Sequence, residues 1–125
     1  MTYVVGIRLP SLPQVPSCNG VTGVTLNFTI VASENGYNDS VNHQGQSWPV
    51  MDVGRCDTVN IKVVNSDVQP HGFAIDYYAA KGVEISGGQS ISVQFLAAKP
   101  GQFRVYCSIF CTVHYAMLSG LMTVS

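Results

Sequence analysis

The stretch VYCSIFCTVHYAML, residues 105–118, places Cys107, Cys111, His114 and Met117 within eleven positions. Thiolate, imidazole and thioether are soft or borderline donors to a metal ion. The spacings of four, three and three residues let one loop fold all of them around a small point. A further strong donor must come from elsewhere, and His71 is the obvious source. It follows Pro70 and opens the apolar run GFAIDYY, so it stands at a strand end, as the loop does. A redox disulfide is a competing chemistry, but Cys-x3-Cys is not the Cys-x-x-Cys redox spacing, and no helical pattern follows to lower a thiol pKa. Zinc could take both cysteines and both histidines tetrahedrally, which leaves Met117 without a role. The thioether favours copper over zinc, calcium or magnesium. Two imidazoles, one thiolate and a weak axial thioether make a one-copper redox set, and a second thiolate allows two coppers to share two sulfur bridges.

Such donors need a frame, and the rest of the chain reads as β. In VTLNFTIVA, Val24, Leu26, Phe28 and Ile30 share one face, and Thr25, Asn27 and Thr29 take the other. The same alternation returns in DTVNIKVVN (Val59, Ile61, Val63), GFAIDYY (Phe73, Ile75, Tyr77), SISVQFL (Ile91, Val93, Phe95) and QFRVYC (Phe103, Val105, Cys107), and GLMTVS closes the chain. NGYND, VNSD, ISGGQ, KPGQ and LSG read as turns. Strands at this spacing predict an all-β fold, a Greek-key β-sandwich or barrel. Loops of a sandwich cluster at its ends, which would let His71 face the 107–117 loop across one rim. Alternation turns Cys107 inward with Phe103 and Val105. NHQGQSWPVMDVG reads as a longer loop in which Trp48 covers one end of the core and His43 is solvated. Asp67 and Asp76, flanking the His71 strand, read as solvated carboxylates.

With 125 residues the chain is one domain, taken as residues 24–125 with an N-terminal segment 1–23 packing on it. Charged residues are only 10%, against the usual quarter, and the net charge is −1 without a basic cluster, which argues against a nucleic-acid partner. No apolar run approaches a membrane span. The opening MTYVVGIRLPSLP lacks the parts of a signal peptide yet begins abruptly in apolar residues, so a leader or membrane anchor is expected to have been removed. Cys18 and Cys56 stand apart from the loop. They either pair as a disulfide in an oxidising compartment or are two buried thiols. The carboxylates are scattered and no Ser-His-Asp grouping is evident, so the domain is not expected to be catalytic alone.

The order of these pieces is itself informative. DVQPHGFAIDYYAAKGVEISGGQSISVQFLAAKPGQFRVYCSIFCTVHYAMLSGLMTV resembles the cupredoxin family, in particular the binuclear Cu(A) domain of respiratory (cytochrome c) oxidase subunit II and of nitrous oxide reductase. The shared order is a His-Gly-Phe strand, a Gly turn, an alternating strand, a Pro-Gly turn, an aromatic strand and the Cys-rich loop. It covers residues 54–125, with GYND matching more loosely. The resemblance implies that Cys107 and Cys111 bridge two coppers, that one copper takes His71 and Met117, and that the other takes His114 and the backbone carbonyl of Ile109. CSIFC looks like the nitrous oxide reductase version of this loop.

There is one departure. Cu(A) loops normally have three residues between the second Cys and the His, and here there are two, Thr112 and Val113. CTVHYAM instead looks like the mononuclear Cys-x2-His-x2-Met loop of pseudoazurins and amicyanins. On that reading Cys111, His114, Met117 and His71 hold one copper and Cys107 is a spare buried thiol. Nitrosocyanin, a red-copper relative, also uses Cys-x2-His, with a glutamate where His71 stands. A thiol so close to a copper thiolate invites oxidation to a disulfide, which argues that both cysteines bind metal.

The resemblance implies one-electron transfer, as the electron-input domain of a respiratory oxidase or related reductase. A stand-alone mononuclear carrier and a copper storage or delivery protein are the other readings. The implied partners are a small cytochrome or cupredoxin and the catalytic subunit of an oxidase. The implied setting is extracytoplasmic, in the periplasm or at the outer face of the cell membrane. Phe73, Phe110, Val105 and Leu118 are expected to exclude water from the metal. Val113, Tyr115 and Leu118 around His114 would form an apolar collar suited to transient docking.

Overall fold

Period-two alternation becomes strand structure wherever one face can be buried, and the chain does this repeatedly. In a computed structural model that describes residues 18–110 and 113–125, the strands are β1 (Thr25–Ser33), β2 (Gly36–Tyr37), β3 (Val50–Val53), β4 (Thr58–Asn65), β5 (His71–Ile75), β6 (Ala79–Ile85), β7 (Ser90–Leu96), β8 (Gly101–Tyr106) and β9 (Gly120–Val124). Single 3-10 turns cover Ser40–His43 and His114–Ala116. Most of the N-terminal segment expected to pack on the domain, residues 1–17, lies outside the described residues, as do Cys111 and Thr112.

Two sheets face each other, in the orders β2-β1-β4-β7 and β3-β9-β8-β5-β6. β1 and β4 run parallel with Leu26 beside Val59, Phe28 beside Ile61 and Ile30 beside Val63, so the apolar faces read from the sequence line up in one layer. Val59, Ile61 and Val63 are fully buried, and Phe73, Ile75, Ile85 and Val105 meet them from the second sheet. Full burial of such a side chain contributes about 1.5–3 kcal/mol over leaving it exposed, and the repetition of these contacts across both sheets makes the frame rigid.

The register then sets the rim. β5 pairs antiparallel with β8, Ala74 opposite Tyr106, so the start of β5 and the end of β8 emerge at the same edge of the sandwich. His71 is the first residue of β5 and Cys107 follows the last residue of β8.

The strand pattern differs from the sequence reading in four places. GFAIDYY is not one strand. It stops at Ile75, and the chain reverses through Tyr77, whose positive φ of 70° turns its ring outward to 53% exposure. Tyr77 therefore does not share the face of Phe73 and Ile75. β6 was not signalled, because AAKGVEI has little alternation. β3 lies inside the segment read as a long loop, where it pairs in parallel with β9. β2 lies inside the NGYND turn and pairs with the end of β1, Ala32 opposite Tyr37. Cys18 and Cys56 form a disulfide, with Cα atoms 5.6 Å apart, which removes the alternative of two buried thiols. It stands at the opposite end of β4 from Asn65, remote from the His71 rim.

Candidate metal centre

The His71 ring is completely buried. Its Nε2 lies 2.9 Å from Asp67 Oδ2, whose side chain is only 8% exposed. The hydrogen bond from His71 holds the Asp67 carboxyl below the usual carboxylate range, against the opposing effect of burial. Asp67 is therefore an ionised acceptor, and Nε2 must carry the proton. The buried Nδ1 has no hydrogen-bond partner among the described residues, and in the neutral ring it is the nitrogen that keeps the lone pair. A buried, unsatisfied nitrogen costs about 1–3 kcal/mol. An imidazole with one nitrogen donating to a carboxylate and the other bare is the arrangement of a metal-ligating histidine.

Asp67 is not the solvated carboxylate that the sequence reading expected. The loop that carries it is built around Asn65, which is fully buried at the end of β4. Asn65 Nδ2 donates to the carbonyls of Gln69 (2.8 Å) and Ile85 (2.9 Å), and its Oδ1 accepts the Asp67 N–H at 2.9 Å. Asp67 Oδ1 in turn accepts the Val68 N–H at 2.7 Å. The turn is closed by its own side chains, and Oδ2 is left to face His71. Asp76, by contrast, is half exposed and reaches Arg104 only at 3.9 Å, as an ordinary surface carboxylate.

Cys107 is 1% exposed, inward with Phe103 and Val105 as alternation predicted. The Gly72 N–H donates to its Sγ at 3.2 Å, so the residue next to His71 is bonded directly to this sulfur. Sγ–H donates to the Ile109 carbonyl, also at 3.2 Å, which sets the carbonyl implied by the family resemblance beside the sulfur. The close approach depends on glycine. A Cβ at position 72 would sit 2.8 Å from Ser108 N and 2.9 Å from Ile109 N, both backbone atoms that cannot swing aside.

Met117 is fully buried, and its carbonyl accepts the Cys107 N–H at 2.8 Å, closing the loop at its base. His114 is half-buried in the last 3-10 turn, joined to Met117 by the Met117 N–H to His114 carbonyl bond at 2.9 Å. Cys111, the remaining expected donor, lies outside the described residues. Among the described residues, no three His, Cys, Asp or Glu side chains form a ready-made ion cage. What converges at the rim is His71 and Cys107 through the Gly72 peptide, and Cys107 and Met117 through the loop closure.

The four residues expected to exclude water divide, with Leu118 half-buried. Phe73 and Val105 are fully buried, whereas Phe110 is 91% exposed, its ring lying beside that of His114 at 5.8 Å between centroids. Alternation ends with β8, and Ser108 tucks in against Gly72 and Gly82, so Phe110 turns outward. His43 is not simply solvated: its ring stacks on Trp48 at 3.7 Å, and both are half-buried at the surface. Trp48 is thus a partner for His43, and its Nε1–H donates to the Asn38 carbonyl at 2.8 Å.

Truncating Asp67 to alanine is expected to lower metal affinity ten- to a hundredfold, because the His71 ring loses its orienting partner. Titration of the metal-loaded protein with a competing chelator checks this, and an unchanged affinity would remove Asp67 from the account.

No family model matches the sequence. The fold is nevertheless shared with solved structures. An auracyanin from the photosynthetic bacterium Roseiflexus castenholzii superposes over 82% of this chain and 99% of its own, at TM-score 0.59 and 20% identity. A copper nitrite reductase from Nitrosomonas europaea matches 81% of this chain and 41% of its own, at TM-score 0.62 and 19% identity. A laccase from Botrytis aclada matches 83% and 23%, at TM-score 0.64 and 14% identity. The chain thus spans less than half of the reductase and under a quarter of the laccase. These likenesses establish a cupredoxin-like β-sandwich.

Proposed function

We propose that this domain transfers single electrons on copper held by His71, Cys107, Cys111, His114 and Met117, with the Ile109 carbonyl, as a binuclear Cu(A)-type centre of a respiratory oxidase or related reductase. The observation that carries the reading is the bare, buried Nδ1 of His71, on a ring oriented by Asp67 and next in sequence to the peptide that bonds Cys107 Sγ. The cupredoxin-like fold shared with copper proteins supports it. Two further points favour two coppers over one. Cys107 sits beside the His71 strand and not apart from it, and the Ile109 carbonyl lies against its sulfur.

Copper supplies the change between Cu(I) and Cu(II), which prefer different geometries. The chain supplies rigidity. His71 is fixed from Asn65 through Asp67, and Cys107 and Met117 by the loop closure, so the ligands of one state need not move far to suit the other. Around the rim, Phe110 (91%), Val68 (87%) and Tyr115 (61%) are exposed apolar side chains. They fit brief docking of a redox partner, such as a small cytochrome, a cupredoxin or an oxidase subunit. The disulfide fits an extracytoplasmic setting.

The second reading, a mononuclear carrier, is favoured by the Cys111–His114 spacing, one residue short of the Cu(A) pattern. Copper-to-protein stoichiometry with an EPR spectrum separates the two. Two coppers per chain, with hyperfine structure from two equivalent nuclei, is the expected result. One copper with single-nucleus hyperfine structure selects the carrier. A colourless Cu(I) protein that releases its metal readily would overturn electron transfer in favour of storage or delivery.

A further inference from the structure

We propose that Tyr37 is a positioning residue of the metal centre: from the opposite sheet, its phenol holds the Gly72 residue whose N–H bonds the Cys107 sulfur. The inference deepens the copper reading above and rests on it. Tyr37 is fully buried on β2, and its hydroxyl donates to the Gly72 carbonyl. Gly72 is thus bound at both polar atoms. Its N–H is committed to Sγ and its C=O to Tyr37, while its missing Cβ gives Ser108 and Ile109 room to lie against it.

The Tyr37 strut is itself braced. Its N–H donates to the hydroxyl of Ser40, which is 3% exposed, and its ring meets Phe73 edge to face at 6.0 Å. β2 also touches the 3-10 turn that carries His114. A two-residue strand would contribute little as sheet.

The chemical consequence lies at the sulfur. A hydrogen bond to a ligating thiolate withdraws electron density from it and raises the potential of the metal it binds. If Tyr37 releases Gly72, the N–H to Sγ bond loosens and the sulfur becomes more electron-rich. Tyr37 would then set the potential of a centre that it does not touch.

Tyr37→Phe deletes the hydroxyl and keeps the ring, so the contact with Phe73 survives. Ile61→Val, a core truncation on β4 of the same sheet as Tyr37, controls for stability alone. In the metal-free protein, hydrogen exchange of the Gly72 amide is expected to accelerate about tenfold in Tyr37→Phe beyond any change in Ile61→Val. In the copper-loaded protein, the sulfur-to-copper band is expected to shift to lower energy and the potential to fall, with neither change in the control. Equal Gly72 exchange in the two variants overturns the inference, and so does an unchanged band and potential in Tyr37→Phe. If the unsubstituted protein takes up no copper, the copper reading fails and this inference with it. The Gly72 exchange then reports only whether the strut exists.

Discussion

Cys107→Ser is expected to abolish the copper chromophore and its EPR signal while leaving the metal-free fold intact. A serine hydroxyl is a hard donor that stays protonated near neutral pH, so it cannot replace a bridging thiolate. Yet it is smaller than the thiol by little, can accept the Gly72 N–H and can donate to the Ile109 carbonyl, as the Cys107 sulfur does. The metal-free variant should therefore unfold within about 1 kcal/mol of the parent in denaturant. This pairing separates loss of a ligand from loss of structure. The mononuclear alternative, in which Cys111 alone supplies a thiolate, expects the opposite: one copper and an undiminished spectrum in Cys107→Ser. That result would sink the binuclear reading.

Asn65→Ala is expected to be the most destabilising single change near the rim, at about 4 kcal/mol, because one fully buried amide serves three backbone groups. Truncation strands the Ile85 carbonyl inside the sandwich and releases the Gln69 carbonyl and the Asp67 N–H. It also frees the loop that presents Asp67 to His71. Metal affinity should fall together with stability, and by at least as much as for Asp67→Ala. Equilibrium denaturation of the metal-free protein measures the first effect, and chelator competition the second. A stability loss below about 1 kcal/mol would mean that water replaces the amide, which the tightness of the site argues against.

Much of the rim was legible in the residues because the governing interactions are local or periodic. The spacing of Cys107, Cys111, His114 and Met117 lies in one loop, and strand alternation turned Cys107 inward before any fold was known. His71 was singled out because the loop needs a further donor and this residue stands at a strand end, as the loop does. The same reasoning failed where the pattern stops. Phe110 was expected to exclude water because it is aromatic and near the donors. It faces solvent because Ser108, between it and β8, takes the inward place against Gly72 and Gly82. Tyr77 was carried along with Phe73 and Ile75 because nothing in DYY marks the reversal after Ile75.

Asp67 and Tyr37 were missed for a different reason. Asp67 is a few residues from His71, but a carboxylate in a polar loop looks solvated until Asn65 folds that loop back on itself. Tyr37 stands in a segment with turn-like composition and acts on a residue 35 positions away. By itself, then, the sequence determined the types and order of the candidate donors, the inward face of Cys107 and an all-strand frame, since each follows from side-chain chemistry or a period-two pattern. Only the tertiary structure decided which nitrogen of His71 is left bare, which carboxylate orients it and which peptide bonds the Cys107 sulfur. Those depend on register and on contacts between sheets, to which a pattern along the chain is blind.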